Sequence, residues 1–124
     1  MPRRPLILTI FGWFLILAGV VGFVFHFPVH RAWHPDDAWP LGLELILLIA
    51  GVFILRGQTW ARWLAVAWIA FHVGLSFYHS VREVAVHTVV LLIFAGILFH
   101  PAANAWFRAV QAGRRRPPPD GAPL

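Results

Sequence analysis

The feature that most constrains this chain is its first long segment, PLILTIFGWFLILAGVVGFVFHF over residues 5–27, which contains no Asp, Glu, Lys or Arg. At 1.5 Å per residue a helix of that length reaches about 34 Å, enough to cross a bilayer core of about 30 Å. Inside lipid the backbone has to satisfy its own hydrogen bonds, so such a segment folds as a helix. Pro28 stops it. Arg3 and Arg4 in front have the form of the charged region of a secretory or twin-arginine signal. The apolar run is too long for such a signal and no small-x-small cleavage site follows it, so an uncleaved first membrane helix is expected.

Three further apolar blocks follow. The second, LGLELILLIAGVFIL over 41–55, is short at about 22 Å and carries Glu44. Pro40 suits a first helical position, and Gly57 after Arg56 suits a C-terminal cap. The third, TWARWLAVAWIAFHVGLSFYH over 59–79, opens on a Thr cap and has Arg62 in its first turn. SVRE (80–83) then has the form of a capping box, which starts a fourth helix at once and makes the connection a helical hairpin. The expected spans are about 5–27, 41–55, 60–79 and 81–99. After His100-Pro101, AANAWFRAVQAG predicts a short interfacial helix over about 101–112, with Trp106, Phe107 and Val110 on one side. Residues 1–112 then form one four-helix transmembrane domain. The Arg/Pro-rich tail 113–124 has nothing to bury and is expected to be disordered.

Composition agrees with a membrane and excludes other classes. Apolar residues make up 60% and charged residues 12%, whereas soluble domains run near 45–50% and about 25%. The chain has no cysteine, which removes disulfides, thiolate metal ligands and thiol chemistry. Its basic excess comes from arginines placed between the apolar blocks, not gathered in a patch, so nucleic acid is not the expected partner.

The expected fold class is all-α, an antiparallel transmembrane four-helix bundle held by small residues such as Gly12, Ala18, Gly19, Ala61, Ala65, Gly74 and Gly96. An even number of spans puts both termini on one side. That side takes Arg3, Arg4, Arg56, Arg62, Arg108 and Arg114 to Arg116, and the other only Arg31 and Arg82. The positive-inside rule then makes both termini cytoplasmic, and Trp33 and Trp39 at one boundary with Trp60, Trp63 and Trp106 at the other form aromatic belts.

On this topology His26, His30, His34, His72, His79 and His87 fall in the outer half with Asp36, Asp37, Glu44 and Glu83. Ionisable side chains within spans are rare and are functional candidates. His72 and His87 lie at like depth on the two arms of the hairpin, so they are candidate cofactor-binding residues. With His26 and Glu44 they are candidate metal ligands, for a divalent transition metal or a b-type haem. The plainer reading is that the histidines are tolerated near water, a neutral His72 bonding to Ser76, a neighbouring helix or a water, and that Glu44 favours a helix N-terminus near headgroups. His79 suits the interface, Glu83 the capping box, and His30 and His34 a solvated loop. No HExxH, CxxC, phosphate-binding glycine loop or nucleophile-with-base spacing occurs. No catalytic residue is therefore expected, no cofactor is the plainer expectation, and a proton-coupled transporter fits badly with an apolar inner half.

The segments ARWLAVAWIAFHVGLSFYHS and LFHPAANAWFR resemble the matching parts of small four-helix bacterial integral membrane proteins of unknown function. The resemblance covers the second half up to Arg108 and implies a multi-pass protein of the bacterial inner membrane, with no functional residue attached. The expected function is a small accessory or scaffold subunit without evident catalysis. It would sit beside a membrane protein partner or a second copy, its cytoplasmic arginines on anionic lipid headgroups. The alternative is a His-ligated redox or ion-handling protein.

Overall fold

The computed structural model describes residues 2–121; Met1 and residues 122–124, the outer ends of the expected domain and tail, lie outside the described residues. The described chain is all-helical: α1 (Leu6–His26), a 3-10 turn (Pro35–Asp37), α2 (Ala38–Leu55), α3 (Thr59–Ser76), α4 (Val81–Leu98) and α5 (Pro101–Arg114). Helix α1 ends where Phe27 goes extended ahead of Pro28, the conformation that a following proline enforces.

Helix α2 begins three residues before the expected Leu41. Its proline stands within the first turn, where the backbone N–H groups have no helical partner in any case. The 3-10 turn feeds it directly. There His34 N–H donates to Asp37 Oδ2 (2.8 Å) and Asp36 N–H donates to His34 Nδ1 (3.3 Å). The result is an 18-residue helix, about 27 Å long, which removes the apparent shortness of the second block. At its other end Gly57 takes φ +75°, and Gln58 N–H returns to Phe53 O as in a Schellman cap.

Helix α3 stops at Ser76, three residues short of the expected His79, because the chain turns at residues 77–79. Ser80 then caps α4 by accepting from Glu83 N–H (3.2 Å). Only this half of the box forms; the Glu83 carboxylate lies 4.0 Å from His79 instead. Helix α5 runs two residues beyond the expected end, to Arg114. Within the expected tail, residues 115–121 carry no helix or strand.

Each of α1 to α4 packs antiparallel on the next. Helices α1 and α2 approach most closely, through Gly12, Gly19 and Gly51. Helix α2 meets α3 through Trp68 Nε1–H donating to Leu43 O (2.8 Å). Helix α1 touches α4 mainly at the edge-to-face pair Phe11–Phe94, 4.9 Å between centroids. The buried core runs through Leu8, Phe11, Leu15, Leu47, Ala50, Ile54, Ala61, Ala65, Ile69, Phe94 and Leu98, and α5 closes it with Ala103, Trp106 and Phe107. Gly74 and Gly96, expected as packing residues, face open space.

Outside this core the surface is apolar. Leu6, Trp13, Phe14, Leu17, Val24, Leu92 and Ile93 are all exposed, in lengths of helix that water would not tolerate. Three segments are long and apolar enough to cross a membrane: Leu6–His26, Pro35–Leu55 and Val81–Leu98. Helix α3 matches α4 in length, but Arg62, His72 and its tryptophans make it less apolar.

Candidate functional site

Two polar clusters occupy opposite ends of the helices. At the end away from α5, four of the histidines share one local geometry. Nδ1 lies on the carbonyl four residues back in His26 (Gly22 O, 2.8 Å), His72 (Trp68 O, 2.8 Å), His79 (Leu75 O, 3.0 Å) and His87 (Glu83 O, 2.9 Å). A carbonyl only accepts, so Nδ1 carries the proton and Nε2 keeps the lone pair in each neutral ring.

The structure brings His72 and His87 together across α3 and α4, with ring centroids 6.1 Å apart. Ser76 joins them: its hydroxyl donates to His72 O (2.7 Å) and its Oγ accepts from His87 Nδ1 (2.6 Å). Trp68 lies against His72 at 4.0 Å. On the other hairpin His26 Nδ1 stands 3.7 Å from Glu44 Oε1. The Glu44 carboxylate occupies the space a side chain at Gly22 would fill, beside an apolar recess of about 200 Å³. Among the described residues no three His, Asp or Glu side chains are placed to hold one metal ion.

Of the loop acids, Asp37 is engaged and Asp36 is exposed. Asp37 takes both arms of the Arg31 guanidinium as well as His34 N–H, and Asp36 lies 3.2 Å from His34 Nδ1. The hydrogen bond to Asp37 holds Arg31 above the usual arginine range. This clamp ties the loop to the start of α2.

The α5 end holds the residue that sequence reasoning missed. Arg62 is buried at 8% exposure. Its guanidinium lies between the Phe107 ring (4.4 Å) and the Phe99 ring (4.9 Å). Nη1 donates to Asn104 Oδ1 (2.6 Å) and to Leu98 O (3.3 Å), while Asn104 in turn donates to Phe99 O (2.8 Å). Its Nε–H has no partner. Beside it opens a cleft of about 650 Å³ lined by Thr59, Arg62, Phe107, Arg108, Gln111, Ala112, Arg115, Arg116 and Pro117. Gln111 Nε2 donates to Thr59 Oγ1 across its floor. The available signal was the combination of an arginine one turn inside an apolar helix with Asn104 and the aromatics Phe99 and Phe107 in FHPAANAWF.

Residues 6–56, which span α1, the loop and α2, match the model of a family described as a short repeat of unknown function (DUF308). The match lies in the first half of the chain, outside the second-half segments that carry the resemblance to small four-helix proteins. No curated protein and no solved structure matches the chain.

Proposed function

We propose that the chain is a small multi-pass protein of the bacterial inner membrane, an antiparallel four-helix transmembrane bundle with both termini cytoplasmic. It acts as an accessory or scaffold subunit beside a membrane partner, without chemistry of its own. The observation that carries this reading is α4, which is long and apolar enough to cross a membrane yet buries only Phe94 and Leu98. Val86, Val89, Leu92 and Ile93 face outward, a surface that only lipid or another membrane helix covers well. Helix α3 is taken as the remaining span because it equals α4 in length and pairs with it antiparallel, and because Arg62 is shielded at the end where snorkelling is cheap. The two hairpins also resemble each other: Leu-Leu-Ile at 47–49 and at 91–93 each precede, at equal spacing, a fully buried residue, Ile54 and Leu98.

One observation favours a second reading, in which His72 and His87 hold a transition metal or haem with His26 or Glu44 nearby. Protonation at Nδ1 against a carbonyl is the arrangement that leaves Nε2 free to ligate. The two readings separate on protein extracted from its native membrane in mild detergent. The accessory reading expects a second membrane polypeptide at fixed stoichiometry and no Soret band or stoichiometric metal. A lone chain carrying metal or haem that His72→Ala removes overturns it in favour of the second.

A further inference from the structure

Of the eight arginines at the α5 end, six fall into two groups. Arg4 donates to Leu55 O (2.7 Å) and Thr9 Oγ1 (2.9 Å), and Arg114 donates to Arg56 O (2.6 Å), so these two are occupied in capping the exposed carbonyls at the end of α2. The side chains of Arg108, Arg115 and Arg116 make no hydrogen bond or ion pair among the described residues, yet with Arg62 they line one cleft. No carboxylate lines it. Four guanidinium groups around one cleft repel one another, and an anion entering it relieves that repulsion.

We propose that this cleft binds a phosphate ester. Arg62 supplies a fixed charge at its base, since Asn104, Leu98 O and the two flanking rings hold its guanidinium in one place. Its position between the Phe99 and Phe107 rings keeps water from screening it, which strengthens its pull on an anion. Arg108, Arg115 and Arg116 form the open wall, and planar forks suit several phosphate oxygens at once. The Thr59 hydroxyl and the Gln111 amide border the same space as neutral partners. A dianionic phosphomonoester neutralises more of this charge than a diester does. The phosphate is carried by a lipid headgroup or arrives as a free anion. The proposal deepens the reading of this end as the one facing anionic headgroups and rests on it for the lipid source.

The test uses the full chain in neutral detergent, titrated with a short-chain phosphatidic acid, inorganic phosphate and a short-chain phosphatidylcholine, with binding followed by calorimetry. One site for phosphatidic acid and none for phosphatidylcholine is expected. Inorganic phosphate competing for that site identifies a free anion as sufficient, whereas its failure to compete identifies the lipid headgroup. Arg108→Gln with Arg115→Gln should weaken binding at least tenfold. Arg3→Gln with Arg82→Gln, equal in charge but away from the cleft, should leave it within twofold. Arg108 and Arg115 are exposed, so the fold should survive; an unchanged thermal transition checks this, and Arg116→Gln alone should weaken binding several-fold. No binding above phosphatidylcholine, or equal losses in the two double variants, overturns the proposal. Binding in detergent is blind to sidedness, so an α5 found outside the cell overturns the topology alone, and lost binding overturns the cleft alone.

Discussion

Arg62 is a charged residue in a place where charge is expensive, and its neighbours show how that expense is met. Two aromatic faces, a carbonyl and the Asn104 amide together replace most of its water. Removing one partner of such an arrangement strands the other, which is costlier than never having built it. Arg62→Ala should therefore destabilise the protein in detergent by about 2–4 kcal/mol, and Asn104→Ala by about 1–2 kcal/mol through a lost hydrogen bond to a charge. The double variant should fall short of the sum by about 1–2 kcal/mol, measured as unfolding free energies, because both act through one contact. Strict additivity would mean that Arg62 and Asn104 do not support each other. From the sequence alone Arg62 reads as a first-turn charge on the cytoplasmic side. Its partners lie 36 and 42 residues further along the chain, and no periodicity carries contacts of that range. The histidines lie closer to what the sequence suggests. His72 and His87 are brought to one level by a short hairpin, though the role of Ser76 between them depends on rotamers that spacing does not define.

At the scale of helices, the close seam is α1 against α2. A Cβ on Gly19 would stand 2.9 Å from Glu44 O and Leu48 N, and one on Gly51 would stand 2.8 Å from Gly12 O. These are backbone atoms that cannot swing away, so Gly19→Ala or Gly51→Ala must push the two helices apart, at about 1–3 kcal/mol each. Gly74 has nothing within 4 Å of its would-be Cβ, so Gly74→Ala should be neutral or gain up to about 1 kcal/mol from helix propensity. Thermal unfolding of the three single variants reads the difference, and equal losses would deny that the α1–α2 seam depends on glycine. The small residues of α1 were visible as such in the sequence. Which glycines of α3 and α4 pack was not, because the same spacing of small residues serves a lipid-facing surface equally well. Element ends slipped for local reasons. Proline inside a first turn left α2 longer than its apolar run, and turns after Ser76 cut α3 short. The existence of α1 to α4 was legible from apolar length, since a bilayer asks for little else, and that of α5 from its one-sided apolar residues.

For the whole molecule the open quantity is sidedness, and charge rather than packing decides it. The α5 end gathers eight of the ten arginines, while the opposite end keeps Arg31, already neutralised by Asp37, and Arg82. Four crossings return the chain to the side on which it began, so the flanks of α1 and the α5 end act together on orientation. Three crossings, with α3 lying outside the bilayer, would split them and part α5 from Thr59 and Arg62 on the other wall of its cleft. The chain has no native cysteine, so single cysteines report position without background. A cysteine at Pro2 or Pro118 should resist an impermeant maleimide in intact cells and react after lysis, and one at Val29 or Ser80 should react in intact cells. Exchanging the flanking charge should disturb this order. Arg3→Gln and Arg4→Gln together with His30→Arg and His34→Arg removes positive charge from one flank of α1 and adds it to the other, close enough to the span to count. A measurable fraction of chains should then label at Pro2→Cys from outside, while removing Arg114, Arg115 and Arg116 instead should shift far fewer, because the first helix usually dominates orientation. If Val29 and Pro118 positions were both to label from outside in the otherwise unaltered chain, α3 would not cross, and the four-span arrangement would give way to three.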